Sequence, residues 1–403
     1  MSVLFGHPTG NPNSHHAALA HFEAGRLEAF CVPWMPSQFS LRLLERFGAL
    51  QPLALRLGRR RFAPLDAVPK VQGRIGEFRR LLTRAMGGGD ERLSYQANDW
   101  LMQTMRQECR RTNVSAVHSY EDCSLWQFAE AKRLGKACIY DMPIGYYPAW
   151  ERTQAELVQQ YAAWLPAGGL PSSQFVRPEQ KRREMDLADL VLVACNFAAT
   201  TVRTFYPYKK LAQAFYGVDL DFWNAPAEKK ASQTLRFIYA GQVSLRKGVP
   251  LLLDAWERAA LDDAELELVG SWHLAEARRL SLPKNVMWRP PCAPSELRQR
   301  YLSSEVFVFP SYFEGFGLVL LEAMACGLSA IASDASAGPE IITDQCGRLM
   351  PCGNIEALVE ILRWFGKNRE QLPAMSRAAR SQAERFTWEN YRRSVSVAVA
   401  PFV

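Results

Sequence analysis

The sequence predicts an α/β protein built from two Rossmann-like, doubly wound domains that face each other across a cleft. A chain of 403 residues is too long for one hydrophobic core and suits two domains. Short apolar, β-rich segments alternate with segments of helical periodicity, which is the pattern of βαβ units and buried parallel sheets. This alternation occurs in both halves of the chain, and each half therefore predicts one such domain.

The second half shows the alternation most clearly. Its predicted strands are 235–242, 265–270, 285–289, 306–311 and 329–333. Its predicted helices are 248–260, 294–304, 317–326 and 354–365, followed by a last helix near 376–396.

The first half repeats the alternation less regularly, with an Arg-rich insertion at 35–110 and a polar join near 207–234. Its predicted strands are 3–5, 27–32, 115–120, 137–142 and 189–195. We therefore expect an N-terminal domain over 1–207 and a C-terminal domain over 208–384. The terminal segment 385–403 is expected to form a helix that packs back on the first domain.

The composition limits the class of protein. A net charge of +7 on a chain of this size fits an anionic small ligand and gives little support for nucleic-acid binding. Nine cysteines without a C-x-x-C pair argue against a disulfide framework or a zinc site. No secretory leader and no apolar run of about 18 residues is visible, so the expected location is the cytoplasm.

The segment 306–327 predicts a strand, a Glu-Gly-Phe-Gly turn and a helix. The first amide N–H groups of such a helix have no partner within it, and the helix dipole adds positive potential there. The amides of Phe316, Gly317, Leu318 and Val319 therefore predict an anion site.

Two carboxylates eight positions apart flank this predicted site. Glu314 either only complements the helix dipole or contacts a ligand. Glu322 lies among Leu, Ala and Met, where an unpaired carboxylate is costly. It is expected to pair with an internal Arg or with two vicinal hydroxyls of a ligand. Gly315 and Gly317 are expected to let that ligand approach the main chain closely.

The loop 241–248 follows a predicted strand and carries Arg246 and Lys247 before the next helix. An Arg fork and a Lys point charge suit a diphosphate, although two solvated surface cations would give the same pattern. The position favours the diphosphate site, because this loop and the Glu-Gly-Phe-Gly turn are expected on the same edge of one sheet.

These segments together resemble the C-terminal domain of retaining, nucleotide-sugar-dependent glycosyltransferases with the GT-B fold, the group 1 or family 4-like glycosyltransferases. The matching text is FIYAGQVSLRKGVPLLLDAW, PSYFEGFGLVLLEAMACGLSAIASDASAGPEII and GRLMPCGNIEALVEIL, in that order. The first half resembles the family more faintly, through VLFGHPTGNPNSHHAAL, HSYED and ADLVLVACNF.

The resemblance implies a role for each matching position in the second half. Glu314 would bind hydroxyls of the donor sugar, and Glu322 would bind the ribose hydroxyls. The amides of residues 316–319 would hold the sugar and the diphosphate, and Lys247 would neutralise the diphosphate.

The sequence departs from the family at two places. The family commonly has Arg directly after the glycine represented here by Gly241, whereas this chain has Gln242, so Arg246 is expected to supply the charge. Gly241 and Gln242 are still expected to line the donor site.

The second departure is in the first domain, where the family often has a His after the strand represented here by 137–142. Asp141 and His118 are the polar candidates there, either as catalytic groups or as hydrogen-bonded structural residues. Gly10 and Asn13, in a loop resembling the first glycine-rich loop of the family, are expected to face the diphosphate.

The resulting hypothesis is a glycosyltransferase that transfers a hexosyl unit from a nucleoside-diphosphate sugar to an acceptor hydroxyl. The resemblance implies retention of the anomeric configuration. We expect no cofactor and no metal, because no Asp-x-Asp pair precedes a suitable strand. The alternatives are a nucleotide-sugar epimerase of the same fold and a non-catalytic nucleotide-sugar-binding protein.

The acceptor is not identified by any motif. The insertion at 35–110 interleaves Leu and Phe with Arg, which is typical of a basic amphipathic surface for a lipid-linked acceptor at the inner membrane. The alternative interpretation is a helix pair with Leu inward and Arg outward.

Overall fold

The computed structural model describes residues 1–58, 60–85, 92–170, 177–225 and 234–403. The strands are β1 Ser2–Gly6, β2 Leu27–Cys31, β3 Lys70–Val71, β4 Val114–Tyr120, β5 Ala137–Met142, β6 Leu190–Val193, β7 Leu211–Gln213, β8 Leu235–Ala240, β9 Ala264–Val269, β10 Val286–Arg289, β11 Val306–Phe309, β12 Ser329–Ser333 and β13 Gly347–Met350.

The α-helices are α1 Pro12–Glu23, α2 Gln38–Glu45, α3 Gln51–Gly58, α4 Arg74–Ala85, α5 Arg92–Glu108, α6 Leu125–Arg133, α7 Tyr147–Gln160, α8 Pro178–Leu187, α9 Asn196–Phe205, α10 Val249–Ala259, α11 Glu276–Leu280, α12 Pro294–Leu302, α13 Leu318–Ala325, α14 Gly338–Ile341, α15 Ile355–Lys367, α16 Leu372–Ala383 and α17 Trp388–Val399.

The strands form two parallel sheets, one in each half of the chain. The first has the order β3-β2-β1-β4-β5-β6-β7, and the second has the order β10-β9-β8-β11-β12-β13. In each sheet the order reverses once, between β1 and β4 in the first and between β8 and β11 in the second. Ligands of doubly wound sheets bind where the carboxyl ends of the strands meet this reversal.

All ten strands predicted from the sequence are confirmed, and β3, β7 and β13 are additional. Because β7 pairs with β6, the first sheet continues to Gln213, past the boundary predicted at 207. The single helix predicted near 376–396 is wrong, since α16 and α17 are separate helices. The Thr387 side chain accepts a 3.1 Å hydrogen bond from the Asn390 amide and starts α17 as its N-cap.

The C-terminal helix α17 returns to the first half of the chain, where it packs on α1. Trp388 stacks on His16 with ring centroids 4.4 Å apart, and Arg392 forms a 2.8 Å ion pair with Glu23. Helix α16 instead packs on α13 of the second half. The C-terminal segment therefore ties both halves together.

The insertion between β2 and β4 is helical over α2 to α5, and Arg59 and residues 86–91 lie outside the described part of the chain. Four of its leucines point inward, as the helix-pair interpretation expected, and form a small cluster of Leu41, Leu53, Leu57 and Leu81, whereas Leu43 and Leu55 are exposed. Not every Arg points outward, because Arg60 is buried and ion-paired to Glu77 at 2.7 Å. Among the described residues, no helix is both long and apolar enough to cross a bilayer.

Gly217 lies where the linker between the sheets passes the start of α17. A Cβ atom on Gly217 would lie 2.2 Å from the Trp388 amide nitrogen, whereas a Cβ on Gly76 of α4 would meet no atom within 4 Å. We expect Gly217→Ala to destabilise the fold by about 1–3 kcal/mol through overpacking against backbone. Urea unfolding of both variants measures this, with Gly76→Ala as the control expected to be neutral or slightly stabilising. An unchanged midpoint for Gly217→Ala would contradict the packing described.

Candidate functional site

The loops that follow β8 and β11 flank the reversal of strand order in the second sheet. The loop after β8 carries Arg246 and Lys247, and the loop after β11 leads into α13. In the described residues, the amides of Phe316, Gly317, Leu318 and Val319 donate no hydrogen bond within the protein. Four free donors at a helix N-terminus form an anion-binding site.

Three charged side chains meet beside this helix terminus. The Lys247 ammonium donates to Glu314 Oε2, and Arg246 Nη1 lies 3.6 Å from the same oxygen. Arg246 Nη1 also donates a 2.9 Å hydrogen bond to the Phe313 carbonyl, while the Tyr312 amide donates to the Arg246 carbonyl at 2.8 Å. The two loops are thus locked to each other through both main chain and side chains.

Burial lowers the pKa of the Lys247 ammonium, and the neighbouring Glu314 carboxylate opposes this decrease. Lys247 Nζ also lies 5.0 Å from the centroid of the Phe309 ring. The edge of that same ring contacts Gly317, whose Cβ position would lie 2.6 Å from Phe309 Cε1. One aromatic ring therefore holds the ammonium and the free amides on adjoining sides.

Glu322 lies one turn further along α13, on the same helical face as Leu318. Among the described residues its carboxylate has no ion-pair or hydrogen-bond partner, so no internal Arg satisfies it. Burial raises the pKa of Glu322 to about 7. An unpartnered carboxylate that is partly open to solvent, beside four free amides, is arranged to accept hydrogen bonds from a ligand.

Contacts within the protein already require glycine at positions 315 and 317 of this turn. A Cβ on Gly315 would lie 1.7 Å from the Pro143 carbonyl oxygen, so Gly315 admits the main chain of the first half rather than a ligand. Gly317 adopts φ +84° and packs against Phe309, as described above. Gly317 is therefore required by its left-handed backbone and by the ring beside it.

Gly241 and Gln242 directly follow β8, at the same edge of the sheet. Gln242 has an exposed side chain, and its carbonyl accepts a 2.6 Å hydrogen bond from the Tyr239 hydroxyl. The side chain is therefore free to turn toward a ligand.

Asp141 and His118 lie together in the first half, at the carboxyl ends of neighbouring strands β5 and β4. His118 Nε2 is 3.5 Å from Asp141 Oδ2, and His118 Nδ1 is 2.9 Å from His21 Nε2. Burial raises the pKa of Asp141 to about 7 and lowers the pKa of His118 to about 3. His118 is fully buried, and its low pKa keeps the imidazole neutral at pH 7.

Three phenols that the sequence did not single out surround Asp141. They are Tyr120, Tyr216 and Tyr391, and burial raises the pKa of each, with a further increase from the nearby Asp141 carboxyl. Tyr391 belongs to the C-terminal helix α17, which is why local sequence patterns gave no signal for this cluster.

Gly10 lies in the loop after β1, and Asn13 lies in the first turn of α1, at the same sheet edge. The Gly10 amide donates a 2.8 Å hydrogen bond to His7 Nδ1, and Asn13 Nδ2 donates a 3.1 Å bond to the Tyr216 hydroxyl. Asn13 is 5% exposed and its amide group is already engaged. Its contact with the Tyr216 hydroxyl joins α1 to the linker between the sheets.

The two halves touch directly at the candidate site. Besides the contact of Gly315 with Pro143, the Cys195 thiol donates to the Gly315 carbonyl, and Glu340 Oε1 accepts a hydrogen bond from the Asn196 amide. These contacts bring the carboxyl edges of the two sheets together, with Asp141 two residues from Pro143. In the residues described, no cluster of three or more His, Cys, Asp or Glu is placed to hold a metal ion.

Residues 222–382 match the family of glycosyl transferases group 1. Two solved structures resemble this chain over its whole length. One is the sucrose-phosphate synthase of Thermosynechococcus elongatus, with a TM-score of 0.63, 16% identity and coverage of 100% of this chain and 98% of that chain. The other is Anabaena Alr3699/HepE in complex with UDP and glucose, with a TM-score of 0.64, 14% identity and full coverage of both chains. The fold is that of the GT-B glycosyltransferases.

Curated relatives match a smaller part of the chain. The sulfoquinovosyl transferase SQD2 of Arabidopsis thaliana is 31% identical over 156 residues, which are 38% of this chain and 30% of that protein. A D-inositol 3-phosphate glycosyltransferase of Paenarthrobacter aurescens is 28% identical over 261 residues, 56% of this chain and 64% of that protein. The alignments thus span only about a third to two thirds of these relatives.

The raised pKa of Glu322 predicts a pH-dependent stability of the ligand-free protein. Because folding raises this pKa from 4.5 to about 7, the stability that its protonated form provides is present below pH 4.5 and is lost as the pH rises through 7. We expect Glu322→Gln to be more stable than the wild type by on the order of 2–3 kcal/mol at pH 8.5 and by less than about 1 kcal/mol at pH 5.

Urea unfolding at the two pH values measures this difference, since other titrating groups cancel between variant and wild type. Glu360→Gln is the control, because Glu360 is exposed and forms no ion pair among the described residues. Equal stabilisation by Glu322→Gln at both pH values would show that burial does not perturb this carboxyl.

Proposed function

We propose that this chain, which has the GT-B fold and whose residues 222–382 match the family of glycosyl transferases group 1, transfers a glycosyl unit from a nucleoside-diphosphate sugar to an acceptor hydroxyl. One observation carries the proposal. Four free amides, two cations and an unpartnered carboxylate converge at the strand reversal of the second sheet, where a sugar nucleotide has a matching group for each. The acceptor would bind to the first half, on the opposite edge of the cleft.

The proposed pose follows the length of α13. The diphosphate would lie on the amides of residues 316–319 beside Lys247 and Arg246, because free N–H groups and cations both stabilise phosphate oxygens. Glu322 would accept hydrogen bonds from the two ribose hydroxyls, and Glu314 from hydroxyls of the sugar. Gly241 and Gln242 would border the diphosphate from the loop after β8.

The Lys247 ammonium has three N–H donors, so it can keep Glu314 as a partner and still donate to a phosphate oxygen. The same carboxylate thereby orients the cation and contacts the sugar. Arg246 is held beside this pair by its hydrogen bond to the Phe313 carbonyl. It would supply the positive charge that the family's arginine provides at the position of Gln242.

In the proposed reaction the acceptor oxygen forms a bond to the anomeric carbon while the bond from that carbon to the phosphate oxygen breaks. Lys247, Arg246 and the helix amides would stabilise the negative charge that develops on the leaving diphosphate, the work a divalent cation performs in other enzymes. The acceptor oxygen would attack on the face from which the diphosphate leaves, which gives retention, and the acceptor proton would pass to a phosphate oxygen on that face. Asp141, with a pKa of about 7, would lie on the first-half side of the cleft, positioned by His118.

The donor is identified by a thermal-shift panel of UDP-, GDP-, ADP- and TDP-sugars. A ligand at a hundred times its Kd stabilises the folded state by about 2.7 kcal/mol, so the matching donor should give a clear shift. We expect Glu322→Ala to abolish that shift and the exposed-site variant Glu360→Ala to leave it unchanged. No shift with any nucleotide sugar would argue against the proposed function.

Once a donor is known, Lys247→Ala should lower kcat/KM for donor turnover roughly 10²–10³-fold, because a charge-stabilising group at the leaving diphosphate is lost. Lys367→Ala, which removes an exposed lysine on α15, is the matched control and should be neutral.

EDTA should leave turnover unchanged, because the two cations are proposed to stabilise the leaving diphosphate without a metal. Product analysis separates the alternatives: an epimerase converts the donor sugar without acceptor, and a binding protein shifts in melting temperature without turnover.

A further inference from the structure

The positive charge of this protein is concentrated in one segment of the insertion. Residues 35–85 contain eleven Lys and Arg and three Asp and Glu, a net charge of +8. The whole chain carries 48 basic and 41 acidic residues, so the remaining 37 basic and 38 acidic residues have a net charge of −1. A net charge so concentrated in one segment gives its surroundings a positive potential that the rest of the chain does not share.

Helix α2 of this segment exposes apolar side chains that its own core does not use. Phe39 and Leu43 are 75% and 46% exposed, and Phe47, just beyond the helix, is 57% exposed. Leu41, on the opposite side of α2, is buried in the leucine cluster with Leu53. The exposed side chains of α2 are therefore not needed to pack the helix on that cluster. Leu55 of α3 and Ile75 of α4 are also exposed, at 68% and 75%.

Two arginines share the exposed side of α2. At 100° per residue, Arg42 and Arg46 lie within about 60° of Phe39, whereas Glu45 lies about 120° away from it. Both arginines are exposed, and among the described residues neither has an ion-pair partner. We call Phe39, Arg42, Leu43 and Arg46 the α2 face.

We propose that the α2 face binds the surface of a bilayer that contains anionic lipids. A helix with apolar side chains between unpaired cations lies in the interface, with Phe and Leu among the acyl chains and Arg at the phosphates. Charge complementarity selects this partner, since a second copy of the chain would bring one +8 segment against another. The inference adds a partner for the first half and does not depend on the nucleotide-sugar site.

The test is flotation of the full chain with vesicles of phosphatidylcholine alone and of phosphatidylcholine with 30% phosphatidylglycerol. We expect binding to the anionic vesicles at 50 mM salt, and at least tenfold weaker partitioning to neutral vesicles or at 500 mM salt. Phe39→Ser with Leu43→Ser, and separately Arg42→Gln with Arg46→Gln, should each weaken partitioning at least tenfold.

The matched controls change exposed side chains elsewhere. Leu280→Ser with Val397→Ser removes two apolar side chains that are 76% and 68% exposed, and Arg203→Gln with Arg377→Gln removes two exposed arginines. Both controls should bind like the wild type. All variants should keep the wild-type melting temperature without any donor, which shows that a loss of vesicle binding is not a loss of fold and keeps this test separate from that of the proposed function. No binding to anionic vesicles, or binding unchanged by both α2 variants, would overturn it. A concentration-dependent dimer that Phe39→Ser abolishes, without vesicle binding, would overturn it in favour of a second copy.

Discussion

In a parallel sheet the carboxyl ends of all strands lie on the same edge, and this constraint decides where the candidate site of this protein lies. The strand order of the second sheet reverses between β8 and β11. The loops that follow these two strands therefore run in opposite directions and leave a crevice between them at that edge. The cations come from the first loop, and the free amides and both carboxylates come from the second loop and its helix. Because the first sheet turns its own carboxyl edge to the same place, Asp141 approaches the crevice from the other side.

The two carboxylates of the second loop differ because their surroundings differ. Glu314 is paired to Lys247 and lies near Arg246, so its charge is balanced within the protein. Glu322 has no such partner among the described residues, and burial raises its pKa to about 7. The ligand-free protein therefore carries an electrostatic cost at Glu322 that a donor with two hydroxyls would relieve. In the proposed function, Glu314 therefore orients Lys247 as well as contacting the sugar, whereas Glu322 contacts only the ligand.

Much of the fold and of the second-half site could be predicted from the sequence because their signals are local. Glu322 stands out as a charge in an apolar helix, and Arg246 with Lys247 stands out at the end of a strand. The strands β3 and β7 have only two and three residues, too few for a periodic pattern. The break between α16 and α17 contains no Gly or Pro. Phe386 in that break packs near Phe215 and Phe316, which are distant in sequence.

The contacts between the halves could not be predicted from the sequence, because each joins residues that are far apart in the chain. Gly315 meets Pro143, and Tyr391 lies near Asp141, across separations that leave no mark in any short segment. Such contacts depend on how two folded sheets pack against each other. Gly315 illustrates the difference. Its residue type predicts a close approach to the main chain, but the group that approaches is a carbonyl of the other half.

The chain passes between the halves twice, once through the linker after β7 and once through the segment before α17. These two passages run side by side, since the Val218 amide donates a 3.1 Å hydrogen bond to the Phe386 carbonyl and Gly217 lies against Trp388. Because main chain packs on main chain at this crossing, the two passages are held together where the chain leaves each half. A change in the relative position of the halves that parted Gly315 from Pro143 would therefore have to bend both passages at once.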